Sequence, residues 1–179
     1  RGRKEKVADA SAWNGWRGPQ RNGHASWLPD RLPETPNEVW EVKLAHAGLG
    51  GIAATDKFVV FADRDLDDFQ DVFRCLDAGT GRQLWQQQVL AIGSLDYGNS
   101  SRATPLIDGD RVFLTGAFGD LLAVELATGE VKWKRHLKND FGATAELPWG
   151  YCGSPLLIDG KLIVQPGAKE ASLVALDPA

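Results

Sequence analysis

The sequence predicts an all-β fold, a β-propeller of four-stranded antiparallel blades. Three observations lead there. A turn-and-tryptophan motif recurs at a fixed offset, short apolar runs alternate with Gly-containing turns, and seven tryptophans occur in 179 residues. Repeats of about 40–50 residues, each holding four short strands, are the signature of propeller blades.

The motif comes first. Cys75-Leu-Asp77-Ala-Gly-Thr80-Gly81-Arg-Gln-Leu-Trp85 aligns without gaps on Ala123-Val-Glu125-Leu-Ala-Thr128-Gly129-Glu-Val-Lys-Trp133, 48 residues further on. The shared pattern is small-x-acid-x-x-Thr-Gly-x-x-x-Trp. A third copy begins at Ala175-Leu-Asp177. In register, it is expected to continue into Thr-Gly and to reach a Trp near position 185, about one motif length on. Glu38-Val-Trp40-Glu-Val-Lys-Leu44 matches the stretch around Trp133 and reads as a leading strand. Each position has a physical reason. Glycine in Thr-Gly and Asp-Gly supplies the positive φ of a tight turn. A blade cannot bury both faces alone, so a flat indole on the outer strand suits the joint between blades. The small residue leaves room for packing against that indole, and the acid two positions later is suited to cap the turn through backbone N–H groups.

The elements follow in order. Residues 1–38 are polar and Gly-rich and read as an N-terminal arm or linker, with Trp13 and Trp16 docked on the propeller. Residues 39–179 read as an incomplete propeller: a leading strand, then blades near 50–90, 101–137 and 152–179. Ala103-Thr-Pro105-Leu-Ile-Asp108-Gly109 reappears as Gly153-Ser-Pro155-Leu-Leu-Ile-Asp159-Gly160, each followed by a short apolar run. In blade two, strands are expected near 102–107, 111–116, 120–126 and 130–137. A closed ring of seven or eight blades needs about 350–400 residues. An open arc exposes faces and edges, so the rest of the ring, from the same chain or another copy, is expected to complete it.

Composition narrows the function. The 24 acidic and 20 basic residues leave a net charge of -4, which argues against nucleic acid as a partner. No apolar run approaches the roughly 20 residues of a membrane-spanning helix. The basic start, Arg1, Arg3, Lys4 and Lys6, leads into no apolar leader segment. Two cysteines, Cys75 and Cys152, make neither a disulfide scaffold nor a zinc site. Cys75 is expected as a small core residue and Cys152 as a buried free thiol near the mouth.

The repeated Ala-x-Asp-x-x-Thr-Gly-x-x-x-Trp pattern resembles the docking motif of the pyrroloquinoline-quinone (PQQ) repeat family, from about Val39 to Ala179. Cys75 in place of Ala and Glu125 in place of Asp are mild departures. The opening Trp13-Asn-Gly-Trp16-Arg17-Gly18-Pro19-Gln-Arg21-Asn-Gly23 is similar to the N-terminal signature of planctomycete-type PQQ-repeat proteins. The resemblance implies a periplasmic or otherwise extracytoplasmic home. It also implies that Trp40 completes the last blade of the ring. The family includes quinoprotein dehydrogenases that bind PQQ and calcium, non-catalytic propellers such as the lipoprotein that helps assemble outer-membrane β-barrels, and sensor domains.

The leading expectation is a non-catalytic scaffold or ligand-sensing module with a protein or peptide partner, no catalytic residue and no cofactor. The alternative is a PQQ-dependent alcohol dehydrogenase with PQQ and calcium. Loops at one end of the blades hold His46, Asp96, Tyr97, Asn99, Arg102, Glu146, Trp149 and Tyr151. Aromatic and polar residues converging on a mouth suit a ligand or peptide face; otherwise they pack the loops. Asp63, Asp65, Asp67 and Asp71 have the alternating spacing that suits calcium, although Asp68 and Arg74 stand where a calcium loop wants Gly and Glu. The other reading of that stretch is a solvated hairpin.

Overall fold

The computed structural model describes residues 12–179. Arg1, Arg3, Lys4 and Lys6 lie outside the described residues. Three antiparallel sheets follow one another along the chain. Blade one is β1 (Ala53–Ala54), β2 (Phe58–Arg64), β3 (Gln70–Asp77) and β4 (Gln83–Leu90), hydrogen-bonded in that order. Blade two repeats it with β5 (Leu106–Asp108), β6 (Arg111–Thr115), β7 (Asp120–Glu125) and β8 (Val131–His136). Blade three contributes β9 (Leu156–Ile158), β10 (Lys161–Val164) and β11 (Val174–Leu176), in the order β11-β10-β9. A short helix, α1 (Leu137–Asp140), follows β8, its N-terminus capped by His136 Nδ1, which accepts the Asn139 N–H at 3.3 Å.

The strands expected in blade two are present with one shift. The first strand of blade two starts at Leu106, because residues 102–105 belong to the loop that leads into it. The leading segment around Trp40 makes no regular ladder, yet its indole docks as the motif requires.

Period-2 alternation explains the packing. In blade two, Val112, Leu114, Leu122 and Val124 face blade one, where they meet Val60, Ala62, Phe73, Cys75, Trp85 and Val89. The alternate residues Leu106, Phe113, Leu121 and Ala123 face blade three and meet Tyr151, Leu162 and Val164. Both faces of the middle sheet are therefore core, which is why its strands read as near-continuous apolar runs.

The motif joins the blades. Cys75 lies directly across from Trp85 and Ala123 from Trp133, and in both ladders the register slips immediately after the small residue. Each indole reaches the next blade's turn. Trp85 Nε1 donates to the Leu126 carbonyl at 2.7 Å, and Trp40 Nε1 to the Ala78 carbonyl at 2.9 Å. The ring lies flat on the glycine of the neighbouring Thr-Gly: a Cβ at Gly129 would sit 2.7 Å from Trp85 Cγ, and one at Gly81 2.8 Å from Trp40 Cδ2. Both glycines also have positive φ, +80° and +69°. Trp133 is half-buried and its Nε1 donates to Pro178 O at 3.4 Å.

The acid position works by chain length. Asp77 Oδ1 accepts the Thr80 N–H at 2.9 Å and its hydroxyl at 2.7 Å. Glu125, one methylene longer, leaves that turn and pairs with Lys132 at 2.8 Å. Asp177 Oδ1 accepts the N–H of Ala179, two residues on, at 2.9 Å.

Candidate functional site

Antiparallel connectivity sends alternate loops to opposite ends of the blades. The Thr-Gly turns share one end. The β2–β3 hairpin, the β4–β5 loop, the β6–β7 turn, the β8–β9 loop and the β10–β11 loop share the other, which forms the rim. Seven of the eight residues expected on a binding face lie on these segments, His46 lies on the segment that leads into β1, and hydrogen bonds tie the segments together.

Arg102 is the main tie. Its guanidinium donates to the carbonyls of Trp149 and Asp96, and to that of Gly98 at 3.1 Å. The Asp96 N–H donates to Pro148 O at 2.7 Å. The long loops after blades one and two are thus stapled to each other. Asn99 ties the same loop to the β2–β3 hairpin: its Nδ2 donates to Asp68 Oδ2 at 2.7 Å, while its Oδ1 accepts the Leu95 N–H at 2.9 Å. Ser100 Oγ donates to Ala47 O at 3.3 Å, bringing in the segment that carries the exposed His46. The Asp68 carboxyl is held below its ordinary range, first by the hydrogen bond from Arg64 and further by Asn99 and by the nearby charges of Arg64 and His46, against the opposing effect of burial.

The expected face residues then divide. Tyr97 and Trp149 project, 84% and 58% exposed, and Glu146 is exposed beside them. Tyr97 has φ of +64°, a conformation that costs a non-glycine residue about 1–2 kcal/mol. Tyr151 instead turns inward. It is buried in the core between blades two and three, its hydroxyl donates to Pro166 O at 3.3 Å, and burial pushes its pKa up. It packs the loop. Apolar side chains continue the projecting surface along the rim: Leu66, Phe69, Ile92 and Leu147 are all exposed.

The acidic hairpin is built around a residue that the spacing of its carboxylates concealed. Arg64 is fully buried. It donates to Asp71 Oδ1 at 3.0 Å, to Asp68 Oδ1 at 2.6 Å, and to the carbonyls of Asp68 and Ala91 at 2.8 and 2.6 Å. Its guanidinium also lies 5.8 Å from the Phe118 ring centroid. Asp71 Oδ2 accepts the Ala117 N–H at 2.7 Å, which links blade one to the β6–β7 turn of blade two. Burial pushes the Asp71 carboxyl up, opposed by that N–H and by Arg64. Asp63 accepts the Ala45 N–H at 3.1 Å and pairs with Arg74 at 3.2 Å. Asp65 Oδ1 accepts the Phe69 N–H at 2.8 Å and so closes the hairpin. Asp67 is exposed at its tip. The alternating spacing therefore does not gather Asp63, Asp65, Asp67 and Asp71 around one point. Among the described residues, no group of three or more His, Cys, Asp or Glu is placed to hold a metal. A lone arginine among five aspartates was the available signal for an internal ion pair.

The cysteines also divide. Cys75 is buried in the joint of blades one and two, and burial pushes its thiol up to about 12. Cys152 departs from the expectation of burial: it is exposed beside the rim, its Sγ 3.1 Å from Trp149 O.

Stacked four-stranded antiparallel sheets joined by Trp-on-Gly contacts define a partial β-propeller of the PQQ-repeat class. The chain belongs to the family described as outer membrane protein assembly factor BamB, whose model matches residues 68–179. No curated relative matches the sequence. Solved structures share the fold. BamB from Moraxella catarrhalis aligns with a TM-score of 0.53 at 21% identity, over 78% of this chain and 36% of that one. Quinohemoprotein alcohol dehydrogenase from Comamonas testosteroni aligns with a TM-score of 0.65 at 16% identity, over 94% of this chain and 26% of that one. A europium-containing methanol dehydrogenase aligns with a TM-score of 0.58 at 14% identity, over 88% and 27%. The chain therefore spans roughly a quarter to a third of the length of these proteins. Among the described residues, no helix is long and apolar enough to cross a membrane.

Proposed function

We propose that this propeller is a non-catalytic, extracytoplasmic interaction module that holds a protein or peptide partner on its rim. The observation that carries the reading is the rim itself. Arg102 and Asn99 bind separate loops into one surface, and that surface presents Tyr97, Trp149, Leu66, Phe69 and Ile92 to solvent. Exposed aromatic and aliphatic side chains on a pre-organised support are what a protein interface needs, because little ordering entropy remains to be lost on binding. His46, Asp96 and Glu146 supply a polar border.

The dehydrogenase alternative needs a clamp for a flat tricarboxylate. Arg102, the cation best placed for it in this arc, already donates to three backbone carbonyls. Calcium would need converging carboxylates, whereas Asp63 and Asp71 are spent on Arg74, Arg64 and backbone N–H groups. The residues of this arc do not fit the group.

A photocrosslinking residue at Tyr97 of the intact protein should trap one discrete protein in cells. The same residue at Lys57, on the opposite end of blade one, should trap none. Failure to crosslink from Tyr97, together with micromolar uptake of PQQ and calcium by calorimetry, would replace the scaffold reading with the enzyme.

A further inference from the structure

The inner edge of the arc is already occupied by the chain itself. β1, β5 and β9 are the first strands of their blades, and each pairs on one side only, with β2, β6 and β10. Their other edges face the axis around which the blades are set. An unpaired strand edge is a row of open donors and acceptors that recruits any extended segment.

Residues Trp13–Gly23 meet these edges one blade after another. Trp13 exchanges two hydrogen bonds with Ala54 of β1, at 2.9 and 2.8 Å. The Ile107 N–H of β5 donates to Asn14 O at 2.7 Å, and Asn14 Nδ2 donates to Ile107 O at 3.2 Å. The Arg21 guanidinium reaches Pro155 O, just before β9, at 3.3 and 3.4 Å. Gly15 is fitted to the surface: a Cβ there would lie 3.0 Å from Leu106 Cδ1. The segment is also folded on itself. The Gly18, Arg21 and Gly23 N–H groups donate to the carbonyls of Gly15, Gly18 and Arg17, each at 3.0 Å. Gly18 has φ of +77°, and a Cβ on it would be 2.9 Å from the Trp13 ring. A space of about 130 Å³ lies between the segment and Leu106, Ile107, Asp108 and Leu157.

We propose that Trp13–Gly23 is a built-in strap that takes the place of an added strand on the axial edges of blades one and two and reaches blade three through the Arg21 side chain, closing this side of the propeller channel to extended peptides. A partner is then held at the rim and stops at the strap. Trp16, half-exposed on the strap, is the surface it would meet there.

Hydrogen exchange in the intact protein tests this. The Ala54 and Ile107 amides have strap carbonyls as their acceptors. Both should exchange at least about 100-fold slower than unprotected amides, as stable hydrogen-bonded positions do. Deleting residues 1–23 should speed both by about 10-fold or more, while Val112 in the middle of blade two stays protected. Fast exchange of Ala54 and Ile107 in the undeleted protein overturns the proposal without any variant. Retained protection at both amides after the deletion overturns it as well, because something else then covers the edges.

Discussion

Trp85 shows how one residue type comes to be demanded by another. Its indole is almost fully buried, lies against Gly129, and spends its one donor on Leu126 O. Glycine is required at 129 twice over, by the positive φ and by the face of the ring. Trp85→Ala in the intact protein should cost about 3–5 kcal/mol, the usual range for truncating a buried aromatic. A thermal melt unchanged within error would show that the indole is not a docking element. Asp77 gives a second expectation, in pH. Its carboxyl is held below the ordinary 3.8, first by the Thr80 hydroxyl and then by the Thr80 N–H. A folded pKa below the unfolded one means that its stabilisation is present above that ordinary value and is lost as pH falls through the folded pKa. Asp77→Asn should therefore lower the melting temperature at pH 7, and the gap to the unsubstituted protein should narrow as pH falls below about 4. A gap constant across that window would show that the carboxylate charge contributes nothing to the turn.

At the scale of the element, the β2–β3 hairpin depends on a buried ion pair. Arg64 and Asp71 are both fully buried, and Asp71 passes the contact on to Ala117 of the next blade. Removing one partner of such a pair strands a charge in a medium that solvates it poorly. Arg64→Ala should cost about 3–5 kcal/mol, whereas the paired apolar replacement Arg64→Met with Asp71→Leu should recover much of that loss. Denaturant titration of the three proteins checks it. Equal destabilisation in the single and the double variant would show that the side-chain volume matters and the pairing does not. The same hairpin carries Leu66 and Phe69 to the rim, so its internal rigidity is what presents them.

For the molecule as a whole, blade two is the shared wall between two cores. Trp85 belongs to the core facing blade one and Leu162 to the core facing blade three. In a repeat structure each unit touches only its neighbours, so stability is close to a sum of interface terms. Trp85→Ala and Leu162→Ala, measured by denaturant unfolding of the intact protein, should add to within about 0.5 kcal/mol. A coupling well above that would mean the two cores respond as one.

The repeat and the order of strands within blades one and two were legible in the sequence because they rest on local rules. Thr-Gly needs a positive φ, alternation sets which residues are core, and antiparallel connectivity sends loops to fixed ends. Trp85 and Cys75 were placed from the motif alone. Other features depend on what lies across space. Glu125 reads as a turn cap until its extra methylene takes it to Lys132. Tyr151 and Cys152 are neighbours in sequence, yet one is core and the other exposed, which depends on the face that blade three offers. The Asp63–Asp71 stretch has the spacing of a cation loop, but a buried Arg64 had already neutralised it from inside. The residues opening the described chain read as an arm or linker with Trp13 and Trp16 docked, but the edges they meet stayed hidden because Ala54, Ile107 and Pro155 lie between about 40 and 130 positions away. Local sequence decides how a strand or turn forms, whereas the tertiary structure decides which free edge, charge or face it meets.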